Sequence, residues 1–363
     1  MDDNARMNPH ELELHYPWHD TLPDPELGLQ VASGVFWVRM ELPFALNHIN
    51  LWLLRDEVNG IAGWTVVDCC IDRPTARAQW EGIFSQLMQS LPIVRVIVTH
   101  MHPDHIGLAH WLCERFQAPL WISATDFYTA RSVSLGRHHF GGDAAAQFFA
   151  QHGLIDPDAL EAVRDRLDYF KRLVPALPMR FHRLMDGQRL MIGGREWRTI
   201  SGFGHAPEHM ALHCPSLQVL ISGDMVLPRI STNVSVFDTE PESNPLTLFL
   251  ESIDRFVPLP EETLVLPSHG KPFTGLHTRI RQLHEHHDDR LREVMQACDE
   301  RPCSAADIMP VLFRRELDWH QTTFAIGESL AHLHALWHDG NLHRHRDDHG
   351  VLRFSPNPAT PRP

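Results

Sequence analysis

The sequence predicts an α/β fold, and three observations carry that prediction. Strand-length runs rich in β-branched residues alternate with longer stretches of helical periodicity. One run, Ile93 to Val98, reads as a strand buried on both faces, which is typical of a central position in such a sheet. The chain has 363 residues and is 43% hydrophobic, enough to bury one large core and leave a smaller module beside it.

Taken in order, Gly34 to Leu42 and the stretch from His48 to Cys70 open with strands, the latter interrupted by a hairpin connection in EVNGIAG. A helix is predicted over Thr75 to Ser90, then the Ile93 to Val98 strand, then a helix from Asp104 as N-cap through Ile106, Leu108, Ala109, Leu112 and Phe116. Ala118 to Ser123 is the next strand. From about 125 to 179 the character changes: DAAAQFFAQHG and DPDALEAVRDRLDYFKRLVPAL read as two helices of an insertion or lid. His138 and His139 in this region fit a solvated loop. Strands resume in QRLMIGGREWRTISG, MALHCP and QVLISGD, followed by a helix near Pro245 to Phe256 and the strand in TLVLPSHG. A long helix over Leu276 to Asp299 leads to two helices and a short hairpin, the order of a winged helix. The closing SPNPATPRP fits a disordered tail.

Charge and cysteines exclude several classes. A formal charge of −14 argues against broad electrostatic binding to nucleic acid or anionic lipid. The first residues have neither a basic segment nor an apolar core, so no signal peptide is expected, and no apolar run approaches membrane-spanning length. The six cysteines form no CxxC pair and fit reduced thiols in a cytoplasmic protein, with Cys69 and Cys70 as small core residues.

Chemistry concentrates in THMHPDH. His100, His102, Asp104 and His105 lie within six residues on the loop after the central strand. With 27 histidines in the chain, a solvated cluster is the simple alternative. Position decides against it, because the carboxyl ends of strands are where α/β sheets place ligands, and imidazole with carboxylate suits a borderline cation such as zinc. Three further strand ends carry the same residue types: His205 in SGFGHAPEH, Asp224 in VLISGDMV and His269 in TLVLPSHGKPF. Each alone is weak evidence; together they make seven potential ligands on strand-end loops.

At this point the sequence resembles the metallo-β-lactamase superfamily. HMHPDH fits that family's HxHxDH signature at His100, His102, Asp104 and His105, and His205, Asp224 and His269 follow in the expected order. The resemblance covers about residues 34–276 and implies an αββα sandwich of two mixed sheets. It also implies two divalent ions, zinc first with iron or manganese as alternatives. His100, His102 and His205 would hold one ion, Asp104, His105 and His269 the other, and Asp224 would bridge. Asp104 and Asp224 would also orient a metal-bound hydroxide for attack on an ester, lactone or thioester, including acyl-CoA-like substrates. Ser222 and Ser268 are expected as turn or supporting residues, and His209 and Lys271 as candidate supporting or substrate contacts. Ala206 and Glu208 stand where thioester-cleaving relatives commonly carry Thr and Gly, and Lys271 where many carry proline.

The stretch LFRRELDWHQTTFAIGESLAHLHALWHDGNL resembles the winged-helix tail of lactamase-like hydrolases. The implied organisation is an N-terminal extension (1–33), a metallo-β-lactamase domain (34–275) with its insertion at about 125–179, a winged-helix-like domain (276–354) and a tail (355–363). From Arg290 onward nine arginines face ten acidic residues without a lysine, and Trp319 to Trp337 holds no Lys or Arg. That pattern favours a packing module over a nucleic-acid reader. His332, His334 and His338 are expected to serve there as polar packing residues. The expected partner is a small-molecule substrate, with no membrane; a homo-oligomer is left open. The alternative reading is a phosphodiesterase or endoribonuclease using the same two ions, with Arg131, Arg137, Arg172 and Arg180 feeding a positive groove. A regulator working through the tail ranks last.

Overall fold

The computed structural model describes residues 9–136 and 141–358, apart from the side chain of His320. Arg137, His138, His139 and residues 359–363 of the tail lie outside these. The chain divides into two compact units. The first comprises residues 1–134, 171–232 and 252–281; the second comprises 135–170, 233–251 and 282–363.

The first unit is the expected two-sheet sandwich. Its larger sheet runs β1 (Leu29–Ala32), β2 (Val35–Glu41), β3 (His48–Val58), β4 (Ile61–Val67), β5 (Ile93–Ile97), β6 (Leu120–Ser123) and β7 (His182–Leu184) in spatial as well as chain order among the described residues. Strands β1 to β4 pair antiparallel, β4 to β7 parallel. The second sheet has the order β12 (Leu264–Pro267), β11 (Val219–Gly223), β10 (His209–Cys214), β9 (Arg195–Gly202) and β8 (Arg189–Ile192), with only β11 and β12 parallel. Alternate residues point between the sheets: Trp37 of β2, Trp52 and Leu54 of β3, Trp197 of β9, Met210 and Leu212 of β10 and Leu266 of β12 share one core. A fully buried aliphatic side chain there contributes about 1.5–3 kcal/mol relative to exposure. Cys69 and Cys70 are buried as expected, and all six cysteines are unpaired thiols.

Helices α1 (Pro74–Ser85), α2 (Pro103–Ile106), α3 (Ala109–Phe116) and α4 (Ala124–Ser134) follow the strands of the larger sheet. Several boundaries differ from expectation for local reasons. The β3–β4 hairpin is tighter than predicted, because Asn59 and Gly60 both take positive φ and form a two-residue turn. Helix α1 stops at Ser85, and Gln89 and Ser90 take left-handed φ values. The N-cap after β5 is His102 rather than Asp104, with Pro103 in the first turn. The single helix predicted there is two, broken at Gly107 and Leu108. A Cβ on Gly107 would sit 2.6 Å from the Cys70 carbonyl oxygen, so the chain passes too close for a side chain. Strands β1 and β7 and helix α4 were not anticipated.

The second unit holds α5 (Gly142–Gln151) and α6 (Pro157–Asp165), where two helices were expected. The second is shorter than predicted; a 3₁₀ turn over Arg166–Asp168 separates it from α7 (Tyr169–Leu173), whose last residues belong to the first unit. Helices α8 (Pro245–Asp254) and α9 (Leu276–Glu300) likewise run through both units. Then come α10 (Ala305–Leu312), α11 (Trp319–His338), β13 (Leu342–Arg346) and β14 (Leu352–Pro356), the predicted helix–helix–hairpin order. Capping boxes start both helices: Ser304 with Asp307, and Asp318 with Gln321. Strand β14 continues to Pro356, opposite Leu342, so Ser355 and Pro356 are part of the hairpin rather than a disordered tail. The insertion packs with the C-terminal segment: the Ala306 amide donates to the His152 carbonyl, 3.2 Å. His332, His334 and His338 each bond a backbone carbonyl, of Glu328, Ser243 and Glu242. No helix among the described residues is long and apolar enough to cross a membrane.

Candidate metal centre

All seven predicted ligands converge at one edge of the sandwich in the first unit. His100 and His102 leave β5, Asp104 and His105 lie in α2, His205 follows β9, Asp224 follows β11 and His269 follows β12. Three sets of donor atoms fall within mutual distances of 4.8 Å: His100 with His102 and His205, His100 with His105 and Asp224, and Asp104 with His105 and His269. Asp224 links the two halves. Its Oδ2 lies 3.3 Å from His205 Nε2, while its Oδ1 lies 3.6 Å from His105 Nε2 and 3.5 Å from His269 Nε2. Asp104 Oδ2 is 3.4 Å from His269 Nε2.

His105 and His269 are each aimed by their other nitrogen. His105 Nδ1 donates to Asp68 Oδ2 at 2.8 Å in a fully buried pair, which turns Nε2 toward the centre. Asp68 sits past the end of β4 in a left-handed conformation and also accepts from the amide and hydroxyl of Thr99. It therefore fixes both a ligand and the start of the ligand loop. His269 Nδ1 donates to the His48 carbonyl at 2.7 Å, and the Gly270 amide donates to His48 Nε2 at 2.8 Å. Asn50 completes that clamp: its amide nitrogen donates to the carbonyls of Pro267 and Gly270, and its oxygen accepts from Trp37 Nε1. Asp126, buried in α4, accepts from the amides of Met101 and Glu208 and thereby ties the HMHPDH loop to the loop bearing His205. Sequence reasoning missed Asp68, Asn50 and Asp126. Only Asp68 carried a usable signal, since it ends a buried apolar strand just as Asp224 does.

The other candidates occupy supporting positions. His209 is fully buried; its Nε2 accepts from the Asp224 amide at 3.2 Å, and its ring lies 5.0 Å from that of His100. Gly223 at φ +56° makes room, because a Cβ there would stand 2.1 Å from His209 Nε2. Lys271 pairs with the exposed Asp20 at 2.7 Å. The Ser222 hydroxyl donates to the Val226 carbonyl within its turn, and the Ser268 backbone carbonyl accepts from the backbone amide of Asn50 in β3. Glu208 accepts from the Thr125 hydroxyl at 2.8 Å.

Electrostatics match a cation-binding set. Burial, reinforced by neighbouring imidazoles, holds His100 well below its ordinary pKa and His102 at about 3, so both present neutral lone pairs. Against the opposing effect of burial, the carboxylates of Asp68, Asp104 and Asp224 push His105 up, and those of Asp224 and Asp104 raise His269 to about 10. Burial likewise opposes ionisation of Asp104 and Asp224, but His105 and His269 bring Asp104 down to about 2 and hold Asp224 well below the usual range. Among the described residues, buried His105 Nε2, His269 Nε2 and Asp224 Oδ1 meet no hydrogen-bond partner. Stranding three such atoms together is unfavourable unless something satisfies them all. A divalent cation does so, and imidazole with carboxylate is a donor set it accepts.

A cavity of about 600 Å³ opens beside His269, lined also by residues of the 11–20 segment, Arg39, His48 and the 227–230 loop. Its size suits a small molecule.

Comparison with known proteins agrees with this geometry. The profile of the metallo-β-lactamase superfamily matches residues 46–269, and that of the metallo-β-lactamase-like C-terminal domain matches 291–357. A β-lactamase domain protein from Burkholderia ambifaria is 54% identical, with a TM-score of 0.90 over 96% of this chain and 100% of that one. A metallo-β-lactamase family protein from Thermus thermophilus is 26% identical, with a TM-score of 0.74 over 90% of this chain and all of that one. The curated "Probable metallo-hydrolase YqjP" of Bacillus subtilis (strain 168) is 23% identical over 84% of this chain and 92% of its own length.

Proposed function

The chain belongs to the metallo-β-lactamase superfamily, and from that premise we propose that this enzyme is a metal-dependent hydrolase of small esters, lactones or thioesters. The observation that carries the reading is the convergence of seven His and Asp donors, three of their atoms buried without partners, beside a small-molecule cavity. His100, His102 and His205 would hold one divalent ion, Asp104, His105 and His269 a second, and Asp224 would serve both; zinc is the first candidate, with iron and manganese as alternatives. Such ions, when bound, supply Lewis acidity and lower the pKa of water toward neutrality.

The chain's own residues set the conditions for that chemistry. Asp68 and the His48 carbonyl orient His105 and His269 before any ligand arrives, so little reorganisation accompanies binding. Asp104 and Asp224 are the only carboxylates among the seven and can accept hydrogen bonds from a water in the centre. A metal-bound water would need no serine nucleophile, and Ser222 is turned onto a backbone carbonyl. A small substrate is favoured over RNA by the cavity's size, the charge of −14 and the lack of Lys or Arg in α11. Arg131 lies over the Phe127 ring, 5.8 Å from its centroid.

The test is a panel of thioesters, lactones, phosphodiesters and single-stranded RNA presented to the metal-loaded chain. Turnover of a thioester or lactone, abolished by a chelator and restored by added zinc, is expected. Inactivity on every carbonyl substrate with both ions bound, or cleavage of RNA alone, would overturn the proposal.

A further inference from the structure

The cavity beside His269 contains a charge that no described residue neutralises. Three long cationic side chains line it. Lys271 is paired with Asp20 at 2.7 Å and Arg229 faces Glu11 at 3.8 Å. Arg39, projecting from β2, makes no side-chain hydrogen bond or ion pair to any described residue; its backbone carbonyl accepts from Gln79 at 2.9 Å. Other buried arginines of this unit are satisfied: Arg95 by Asp56 and the Met191 carbonyl, Arg279 by the carbonyls of Leu227 and Ile230. Arg39 is partly buried, and burial lowers its pKa with no acidic neighbour offsetting the effect. Its charge is felt at His48, whose backbone and ring clamp the His269 loop. A half-buried, unpaired guanidinium is unfavourable in the free protein unless its partner is a ligand.

We propose that Arg39 determines specificity by receiving a carboxylate carried by the substrate, whose scissile carbonyl lies at the His269 side of the same cavity. Preferred substrates are then small esters or thioesters bearing a free carboxylate. Charge balance favours this class. With Lys271 and Arg229 each facing an acid, one positive charge remains, which a carboxylate monoanion matches and a phosphate dianion does not. The guanidinium fork also accepts a carboxylate through two parallel hydrogen bonds. The choice of scissile group rests on the hydrolase reading; the carboxylate subsite does not.

Both can be separated in one experiment on the metal-loaded full chain. Calorimetry compares dicarboxylates of four to six carbons with their monoamides, which keep one carboxylate for the centre and replace the other by a neutral group. At least one dicarboxylate should bind about tenfold or more tightly than its monoamide, as expected for a charge-assisted pair. Arg39→Leu should erase that preference and Arg39→Lys should keep part of it. With matched thioesters, Arg39→Leu should raise KM for the carboxylate-bearing member and leave kcat and the amide-capped member unchanged. Because Arg39 supports no other side chain, Arg39→Leu should unfold at the same temperature as the parent or higher; a lower temperature would indicate a structural role and count against the proposal. A preference absent from the parent, or surviving in Arg39→Leu, would overturn it. Arg39-dependent binding without turnover of any ester would instead remove the hydrolase reading and uphold the subsite.

Discussion

Asp68 illustrates how a residue outside the ligand set controls it. Its carboxylate accepts hydrogen bonds from His105 Nδ1–H and from the Thr99 amide, so it selects the tautomer that leaves Nε2 to the centre. Asp68→Asn keeps the shape but presents either a weaker acceptor or a competing donor to His105. Metal affinity measured by competition with a chromophoric chelator should fall by about 10- to 100-fold. An unchanged affinity would mean that His105 is oriented by packing alone. At this scale the seven candidate ligands were legible, because the HMHPDH cluster, Asp224 and His269 stand after apolar runs that need no polar terminus, and His205 follows a glycine-flanked turn. Asn50 and Asp126 were not, since one lies inside a strand and the other in a helix, and only tertiary contact reveals their partners.

Among elements that carry no candidate ligand, α4 supports the centre through Asp126 and was hidden from sequence by its place at the border of the insertion. It carries Asp126, buried, whose acceptors hold two ligand loops together. Burial pushes this carboxyl up to about 6, with the hydrogen bonds from Met101, Glu208 and Ser123 opposing. Folding thus favours its protonated form. The associated stability is complete below about pH 4, is lost as pH rises to about 6, and is absent at neutrality. Asp126→Asn cannot titrate. The stability difference, parent minus variant, should therefore be larger at pH 4 than at pH 7 by about 2–3 kcal/mol, measured by urea unfolding. A pH-independent difference would refute the burial argument. Helix interruption between α2 and α3 was equally hard to foresee, because periodicity continues through Gly107 while the Cys70 backbone passes beside it. Strands β1 and β7, of four and three residues, were too short to register against their polar surroundings.

Across the whole molecule, the sandwich and the helix–helix–hairpin tail were readable from alternation and order. The grouping of 135–170 with 233–251 and 282–363 was not. It depends on contacts remote in sequence, such as the Ala306 amide on the His152 carbonyl and Gly153, whose missing Cβ leaves room for Ser304. The charge of −14 and an α11 without Lys or Arg are the molecular features that support the proposed small-molecule substrate over a nucleic acid.

All of the proposed chemistry depends on five imidazoles and two carboxylates acting as one receptor for two cations. Elemental analysis of the purified full chain after equilibration with zinc, set beside Asp224→Ala prepared identically, tests this directly. About two equivalents per chain are predicted for the parent, with a clear loss in a still-folded variant that lacks the carboxylate facing both halves. A parent that retains no metal, or a variant that retains the parent's full complement, would contradict the account.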